Sequence, residues 1–300
     1  MVNKRNIKVL GGIVLFNPDL DRIQENVNAV YPQVDKLLLI DNGSDNISQV
    51  KQLFKNKDKL KIVEFGKNKG ISGALIKIMN IAVDEDYDWV LTLDHDSVVK
   101  PKLVENYKKF IDIPDVGCMI CRMEDRNYEL NDIHVKGDYE VISRCITSGC
   151  FMRVDAYKKS DGYTEDFFID RVDDDICYNF TLHGYKTIKI NYLGMLHEMG
   201  YVDVRRFLWT KCKVQNYSPF RRYYIFRNET IIRNKYPSLI KKEWLESGRP
   251  MWVNFGLQFI KIIIFEKEKF KKIKAMWTGW TDGRKYVKNK LGIKKCIIFQ

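Results

Sequence analysis

Four short apolar runs open this 300-residue chain, each closed by polar or turn-forming residues and parted from the next by a segment of helical period. That alternation restricts the fold more than any other feature. Lys8 to Phe16 (KVLGGIVLF) stops at Asn17-Pro18, and DLDRIQENVNAVYP then sets Leu20, Ile23, Val27 and Val30 at helical spacing up to Pro32. KLLLIDNGS is a second buried strand running into a glycine turn. A helix around SQVKQLFKN, a strand KIVEF, a glycine-punctuated loop GKNKGISG, a helix ALIKIMNIAVDE and a fourth strand DWVLTLDHDS follow. Repeated strand-helix units predict an α/β fold with a doubly wound, mostly parallel sheet, in which ligands gather at the carboxyl ends of the strands. The polar clusters Asn17-Pro18, Asp41 to Ser44, Asn68 to Gly70 and Asp94 to Asp96 all fall at those ends.

From about Gly117 to Leu196 the pattern loosens. Strands are expected at GCMICRM, VISRCITSGCFMRV and KTIKINY, and a helix from about Asp173 to Leu182. Beyond residue 204 the composition changes. Residues 201–300 hold 24 Lys and Arg against 7 Asp and Glu, whereas residues 1–200 hold 27 against 32, so the net +12 of the chain belongs to its last third. Two regions are expected: 1–204, holding the sheet and the site, and 205–300, a basic helical extension. In the extension Trp244, Trp252, Phe255, Phe259, Phe265, Phe270, Trp277 and Trp280 are interleaved with lysines, which favours a helix lying in an anionic membrane interface; a basic helix packing its aromatic face on its own domain is the other reading. No nucleic-acid reader motif accompanies the charge, so nucleic acid is not the expected partner.

No run approaches the roughly 20 apolar residues that cross a bilayer, and the N-terminus lacks an apolar leader core, so a cytoplasmic protein is expected. Seven scattered cysteines are read as reduced core thiols. Cys118 and Cys121 have the spacing of half a zinc site, but the second pair is missing, since Cys145 and Cys150 are spaced differently.

Asp94 and Asp96 stand two apart at the mouth of the fourth strand, so their side chains point to one side. Two converging carboxylates repel unless a cation sits between them or one holds a proton, and Mg²⁺ or Mn²⁺ resolves this while leaving positions for phosphate oxygens. Helix capping by Asp-His-Asp-Ser is the alternative. Asp41, at the end of the second strand, can accept the imide N–H of a uracil or thymine ring. The NKGISG loop offers backbone N–H groups to a diphosphate. A base-binding acid, a phosphate-friendly loop and a metal-binding pair together spell a nucleoside diphosphate.

In order and spacing, LIDNGS, NKGI, LDHDS and SGCFMRVDAYKKSDGYTEDFFIDRVDDDICYNFTLHGY resemble the inverting family 2 glycosyltransferases of GT-A fold, and within them the rhamnosyltransferase branch. The match runs from about Lys8 to Tyr236, and WTGWTDGRKYVKNKLG resembles the branch's C-terminal segment. The resemblance implies that Asp94 and Asp96 hold the metal against the sugar-nucleotide diphosphate, with His197 as the remaining protein ligand. It also implies that Asp41 holds the base beside Pro18 and that Asp173 is the catalytic base, with Asp170 second; Asn68 and Gly70 are donor-site candidates through the loop that carries them. The acids of IDRVDDD read equally as caps of the following helix. Backbone N–H groups near Ser148-Gly149 are candidates for the donor sugar or its phosphate. Arginine forks suit phosphate oxygens, which assigns Arg221, Arg222 and Arg227 to a diphosphate of the donor or of a lipid-linked acceptor, against a solvated or interdomain role.

Two departures from the branch pattern, Ser72-Gly73-Ala74-Leu75 after NKGI and Asn179 where an arginine is usual, point to a UDP-hexose or UDP-galactofuranose as the alternative to dTDP-β-L-rhamnose. They also keep open a nucleotide-sugar-binding protein without turnover. The implied setting is the inner face of the cell membrane, on a glycan acceptor. The oligomeric state, a homodimer among the options, is left open.

Overall fold

The structure is a computed structural model that describes residues 6–126, 135–198, 203–207, 210–247 and 251–293. It divides into two compact units, Met1–Phe168 with Val172–Met199, and Ile169–Arg171 with Gly200–Gln300.

The first unit begins with β1 (Val9–Leu15), α1 (Leu20–Val30), β2 (Lys36–Asp41), α2 (Ile47–Phe54), β3 (Leu60–Glu64), α3 (Gly70–Asp84) and β4 (Trp89–Asp94). All seven residues of β1 are buried, as a strand with neighbours on both edges and helices on both faces requires. Asp19 caps α1 by accepting the Arg22 N–H at 3.0 Å, and the stripe Ile23, Val27 and Val30 buries that helix on the core. These four strands pair in parallel in the order β3-β2-β1-β4. The order reverses beside β1, which is where such sheets open a crevice at their carboxyl edge.

The sheet continues through β5 (Val98–Val99), α4 (Leu103–Tyr107), β6 (Val116–Asp125), β7 (Tyr139–Ile142), β8 (Cys150–Arg153), α5 (Val154–Lys158), α6 (Val172–Leu182) and β9 (Lys186–His197). Its path runs on as β4-β8-β6-β9-β5, with β7 also on β9. β8 lies antiparallel to both β4 and β6, so the sheet is mixed beyond β4. Trp89, Phe151 and Tyr107 stack face to face across this junction, with ring centroids 4.8 and 5.0 Å apart.

Two elements differ from the expectation. The segment VISRCITSGCFMRV is two strands, because Gly149 turns at φ +81°, gives its N–H to Thr92 O at 2.8 Å and its carbonyl to the Tyr107 hydroxyl at 2.6 Å. Helix α3 starts at Gly70 rather than Ala74. Its first-turn donors find partners without a loop: Gly70 N–H meets Asn68 Oδ1 at 2.8 Å, Ile71 N–H meets Phe168 O at 2.7 Å and the Ser72 hydroxyl meets Thr164 O at 2.7 Å. Gly70 itself has φ +78°, and a Cβ there would strike the Phe168 backbone.

The second unit carries the antiparallel hairpin β10 (Asp203–Phe207) and β11 (Thr210–Val214), then α7 (Pro219–Lys235), α8 (Pro237–Ser247), α9 (Met251–Phe265) and α10 (Lys269–Lys290). The hairpin was not legible in the composition. Ser218 caps α7, with Pro219 in its first turn. Gly279 and Gly283, one turn apart on α10, let that helix meet α7 backbone to backbone: a Cβ at either would run into Tyr223 O or Arg227 O. Among the described residues no helix is long and apolar enough to cross a membrane.

Candidate functional site

The ladder around β1 sets the frame of the site. Val14 pairs with Asp94 and Leu15 with Asp41, so the two acids sit at nearly one level on either side of β1. With strands about 4.8 Å apart they are separated by about 10 Å at the carboxyl edge. Asp94 ends β4. Asp96 follows in the turn before β5, and β5 pairs antiparallel with the end of β9, which brings His197 to the same place. One ligand atom each from Asp94, Asp96 and His197 lies within 4.8 Å of the others.

Burial, then the neighbouring Asp96 charge, pushes the Asp94 carboxyl above its ordinary value, while His197 and His95 oppose the rise. One Asp96 carboxylate oxygen, Oδ1, is buried with no hydrogen-bond partner. Crowded negative charge and an orphaned oxygen are what a hard cation would relieve, and two carboxylates with an imidazole are a donor set that Mg²⁺ or Mn²⁺ accepts. The residues present therefore fit a divalent ion.

A chain of hydroxyls orders this cluster. Asp94 N–H donates to Ser148 Oγ at 3.0 Å, Ser148 donates to Ser97 Oγ at 2.7 Å, and Ser97 Oγ lies 2.8 Å from His197 Nδ1. With the proton on Nδ1, the ring donates to Ser97 and turns the Nε2 lone pair outward, the arrangement by which metal-binding histidines are oriented. Asn26, on the buried face of α1, donates to Asp94 O at 2.7 Å. The sequence reading missed Ser97 and Asn26. Asn26 had a visible signal, an amide inside the apolar stripe of α1; Ser97, considered only as a helix cap in the alternative to metal binding, had none.

Asp41 is buried, and its carboxylate accepts Gly43 N–H at 3.0 Å and Ser44 N–H at 3.1 Å. Those bonds lock the turn and leave lone pairs for another donor. Pro18 is buried next to this turn, with its carbonyl taken by Asn46 Nδ2 at 2.7 Å.

The loop at Asn68 to Gly70 requires a correction. The amides of Lys69, Gly70 and Ile71 are engaged by Asn42 Oδ1, Asn68 Oδ1 and Phe168 O, so they do not form a cradle for a diphosphate. The Gly149 amide is likewise committed, to Thr92 O. Ser148 contributes through its buried hydroxyl. Asn179, one of the departures, is buried and pins a turn, donating to Gly162 O at 2.7 Å.

At the acid-rich start of α6 the four aspartates have separate jobs. Asp174 pairs with Arg144 at 3.0 Å, and Asp175, fully buried, accepts Thr164 N–H at 2.9 Å. Asp173 is half-buried and takes the N–H of Asp174 on one oxygen. Asp170 belongs to the second unit. Arg221 grips both its oxygens at 3.0 to 3.3 Å, and Asn228 holds its carbonyl. With both oxygens taken up by the guanidinium fork, Asp170 is placed as a structural partner of Arg221, which argues against the role of second candidate base expected for it. Asp170 and Arg171 also stand in the left-handed region at φ 64° and 66°, a costly backbone held by those bonds and by an Arg171–Glu229 ion pair.

Two of the three arginines expected at a diphosphate, Arg221 and Arg222, are committed to carboxylates instead. Arg221 is spent on Asp170. Arg222 is buried, with its guanidinium committed to an ion network with Glu266. Arg227 donates to Asn228 Oδ1 at 2.8 Å and lies over the Tyr286 ring at 5.3 Å.

A mixed α/β sheet with paired carboxylates and a histidine gathered at its parallel strand ends defines a class, the GT-A glycosyltransferases. The model of glycosyl transferase family 2 matches residues 12–178, and this chain belongs to that family. A Shigella flexneri protein described as dTDP-rhamnosyl transferase RfbF is 22% identical over 245 residues, 77% of this chain and 81% of that protein. Among solved structures, S. aureus TarS 1–349 in complex with UDP-GlcNAc matches with a TM-score of 0.54 at 13% identity, over 96% of this chain and 76% of that one. GalNAc-T7 with UDP, GalNAc and Mn²⁺ gives 0.57 at 12% identity, over 76% of this chain and 48% of that one. These two likenesses are of fold.

Proposed function

We propose that the protein is a metal-dependent inverting glycosyltransferase that moves rhamnose from dTDP-β-L-rhamnose onto a lipid-linked surface polysaccharide. The observation that carries this reading is the convergence of Asp94, Asp96 and His197 about 10 Å from Asp41, across one strand. The similarity to RfbF supports the donor sugar.

In this reading Asp41 accepts the imide N–H of the thymine ring. Asp94, Asp96 and His197 hold a divalent ion, Mn²⁺ or Mg²⁺, which when bound would neutralise the charge that builds on the departing diphosphate. Ser97 and Ser148 keep the imidazole and the Asp94 backbone oriented for that task. Asp173 takes the proton of the acceptor hydroxyl as that hydroxyl attacks the anomeric carbon. A UDP-sugar is the alternative donor, supported by the nucleotides in the structures of fold relatives.

A thermal-shift series of nucleoside diphosphate sugars decides between them. With Mn²⁺, dTDP-rhamnose is expected to raise the melting temperature most, and Asp96→Ala to remove the Mn²⁺-dependent part. A larger rise with a UDP-sugar would transfer the assignment to that donor, and no rise with any donor would remove the reading.

Attachment at the inner membrane face is part of the proposal. On α9 the side chains of Leu257, Phe259, Ile260, Ile263 and Ile264 are exposed, and on α10 Phe270 and Trp277, with Lys269, Lys271 and Lys274 exposed nearby in sequence. The side chains of Trp244, Trp252 and Phe255 lie outside the described ones. Exposed apolar bodies with basic heads suit an anionic bilayer surface, where each Lys or Arg adds about 1 kcal/mol. The chain is expected to pellet with phosphatidylserine vesicles at low salt and far less with phosphatidylcholine vesicles, and Ile260→Glu with Ile263→Glu to release it. Protein left in the supernatant at low salt would contradict attachment.

A further inference from the structure

Four cysteines that the proposed reaction does not use come together inside the first unit. Cys118 comes from β6, Cys145 from the segment before β8, Cys150 from the start of β8 and Cys177 from α6. Their sulfurs are 4.0 Å apart for Cys118 and Cys145, 3.9 Å for Cys145 and Cys150, and 3.8 Å for Cys145 and Cys177. The sulfurs of Cys118, Cys145 and Cys177 all lie within 4.8 Å of one another, and Cys150 joins them through its contact with Cys145.

Zinc bound by four thiolates has Zn–S bonds of about 2.3 Å, and a tetrahedron of that size has edges of about 3.8 Å. The three separations measured from the Cys145 sulfur are therefore already close to the edges of a filled site. Cys118 has an outer partner as well, the Thr187 hydroxyl at 3.2 Å from its sulfur. Cys118, Cys150 and Cys177 are buried and Cys145 is half-buried.

The pairing could not be read from spacing. CMIC suggested Cys118 with Cys121, whereas the cluster takes Cys118 and draws its other members from three more segments. We propose that Cys118, Cys145, Cys150 and Cys177 form a tetrathiolate zinc site that fastens α6 to the central sheet. Soft sulfur ligands select Zn²⁺ over the hard ions suited to Asp94, Asp96 and His197, so the two sites take different metals. Binding exchanges four thiol protons, released to solvent, for one ion, with no change of oxidation state. Cys177 lies one helical turn beyond Asp173, so the ion would fix the helix that presents the proposed base. The zinc site stands on its own observations and survives if the donor assignment fails.

The test is the metal content of the full chain, produced without a histidine tag in zinc-supplemented medium and dialysed against a weak chelator. About one zinc per chain is expected, released in step with mercurial titration of the thiols and followed with a chromogenic chelator. Asp96→Ala should keep the zinc, and Cys145→Ser and Cys177→Ser should lose most of it. Cobalt-substituted protein should show an intense sulfur-to-cobalt charge-transfer band that Cys145→Ser weakens. The wild-type measurement decides even if a variant fails to fold. A folded wild-type chain without zinc, whether its thiols are all free or two have joined in a disulfide, would overturn the proposal, as would zinc that disappears in Asp96→Ala.

Discussion

Asp173→Asn is expected to lower sugar transfer by about 10²- to 10⁴-fold, the usual contribution of a positioned general base, with the melting temperature unchanged. Asparagine keeps the shape of the side chain and an oxygen to accept Asp174 N–H, so helix α6 keeps its start. What is lost is the capacity to take a proton. Asp170→Asn serves as the internal comparison: it loosens the Arg221 fork at an already costly backbone, so it should lower stability more than it lowers the rate per folded molecule. Wild-type turnover in Asp173→Asn, measured with saturating donor and acceptor, would take Asp173 out of the mechanism.

The largest expected loss of stability falls in the second unit. Arg222, Glu266 and Lys272 are all buried, and the single Glu266 carboxylate meets both cations, Lys272 Nζ at 2.9 Å. Neutral acceptors complete the network: Gln258 Oε1 takes Arg222 at 2.9 Å and Asn216 Oδ1 takes Lys272 at 2.6 Å. Removing the anion leaves two positive charges out of water. Breaking a buried pair in this way costs about 3 to 5 kcal/mol. Glu266→Ala is therefore expected to reduce the unfolding free energy by that amount in urea titration, whereas replacing all three with apolar residues of similar volume should cost much less. A loss below about 1 kcal/mol, the scale of a solvent-exposed pair, would mean that water reaches the network in solution.

The sequence exposed the frame of the site better than its contents. Strand ends are legible because apolar runs must stop where the sheet stops, so Asp41 and Asp94 could be placed at one edge from periodicity alone. Asp96 was expected beside Asp94 through the two-residue repeat of a strand, whereas the strand ends at Asp94 and it is the following turn that carries Asp96 to the site. His197 did not, because the return of β9 to the β5 edge joins residues 100 positions apart, and only the family pattern linked them.

Partner choice was illegible. Arg221 and Arg222 are adjacent and chemically identical, yet one grips Asp170 and the other lies inside the ion network, a distinction set by which side of α7 each occupies. The amides of Lys69 to Ile71 looked open because the sequence could not show Asn42 and Phe168 arriving to fill them.

The register of β1 has a further implication for how substrate choice can change. Because Val14 and Leu15 pair with Asp94 and Asp41 through main-chain ladders, the gap between the two acids is built into covalent and hydrogen-bonded backbone, like marks on a ruler. Exchanging side chains at the rim can retune which sugar is welcomed. Under the proposed function, only sliding an entire strand could alter the length of nucleotide that the edge would accommodate.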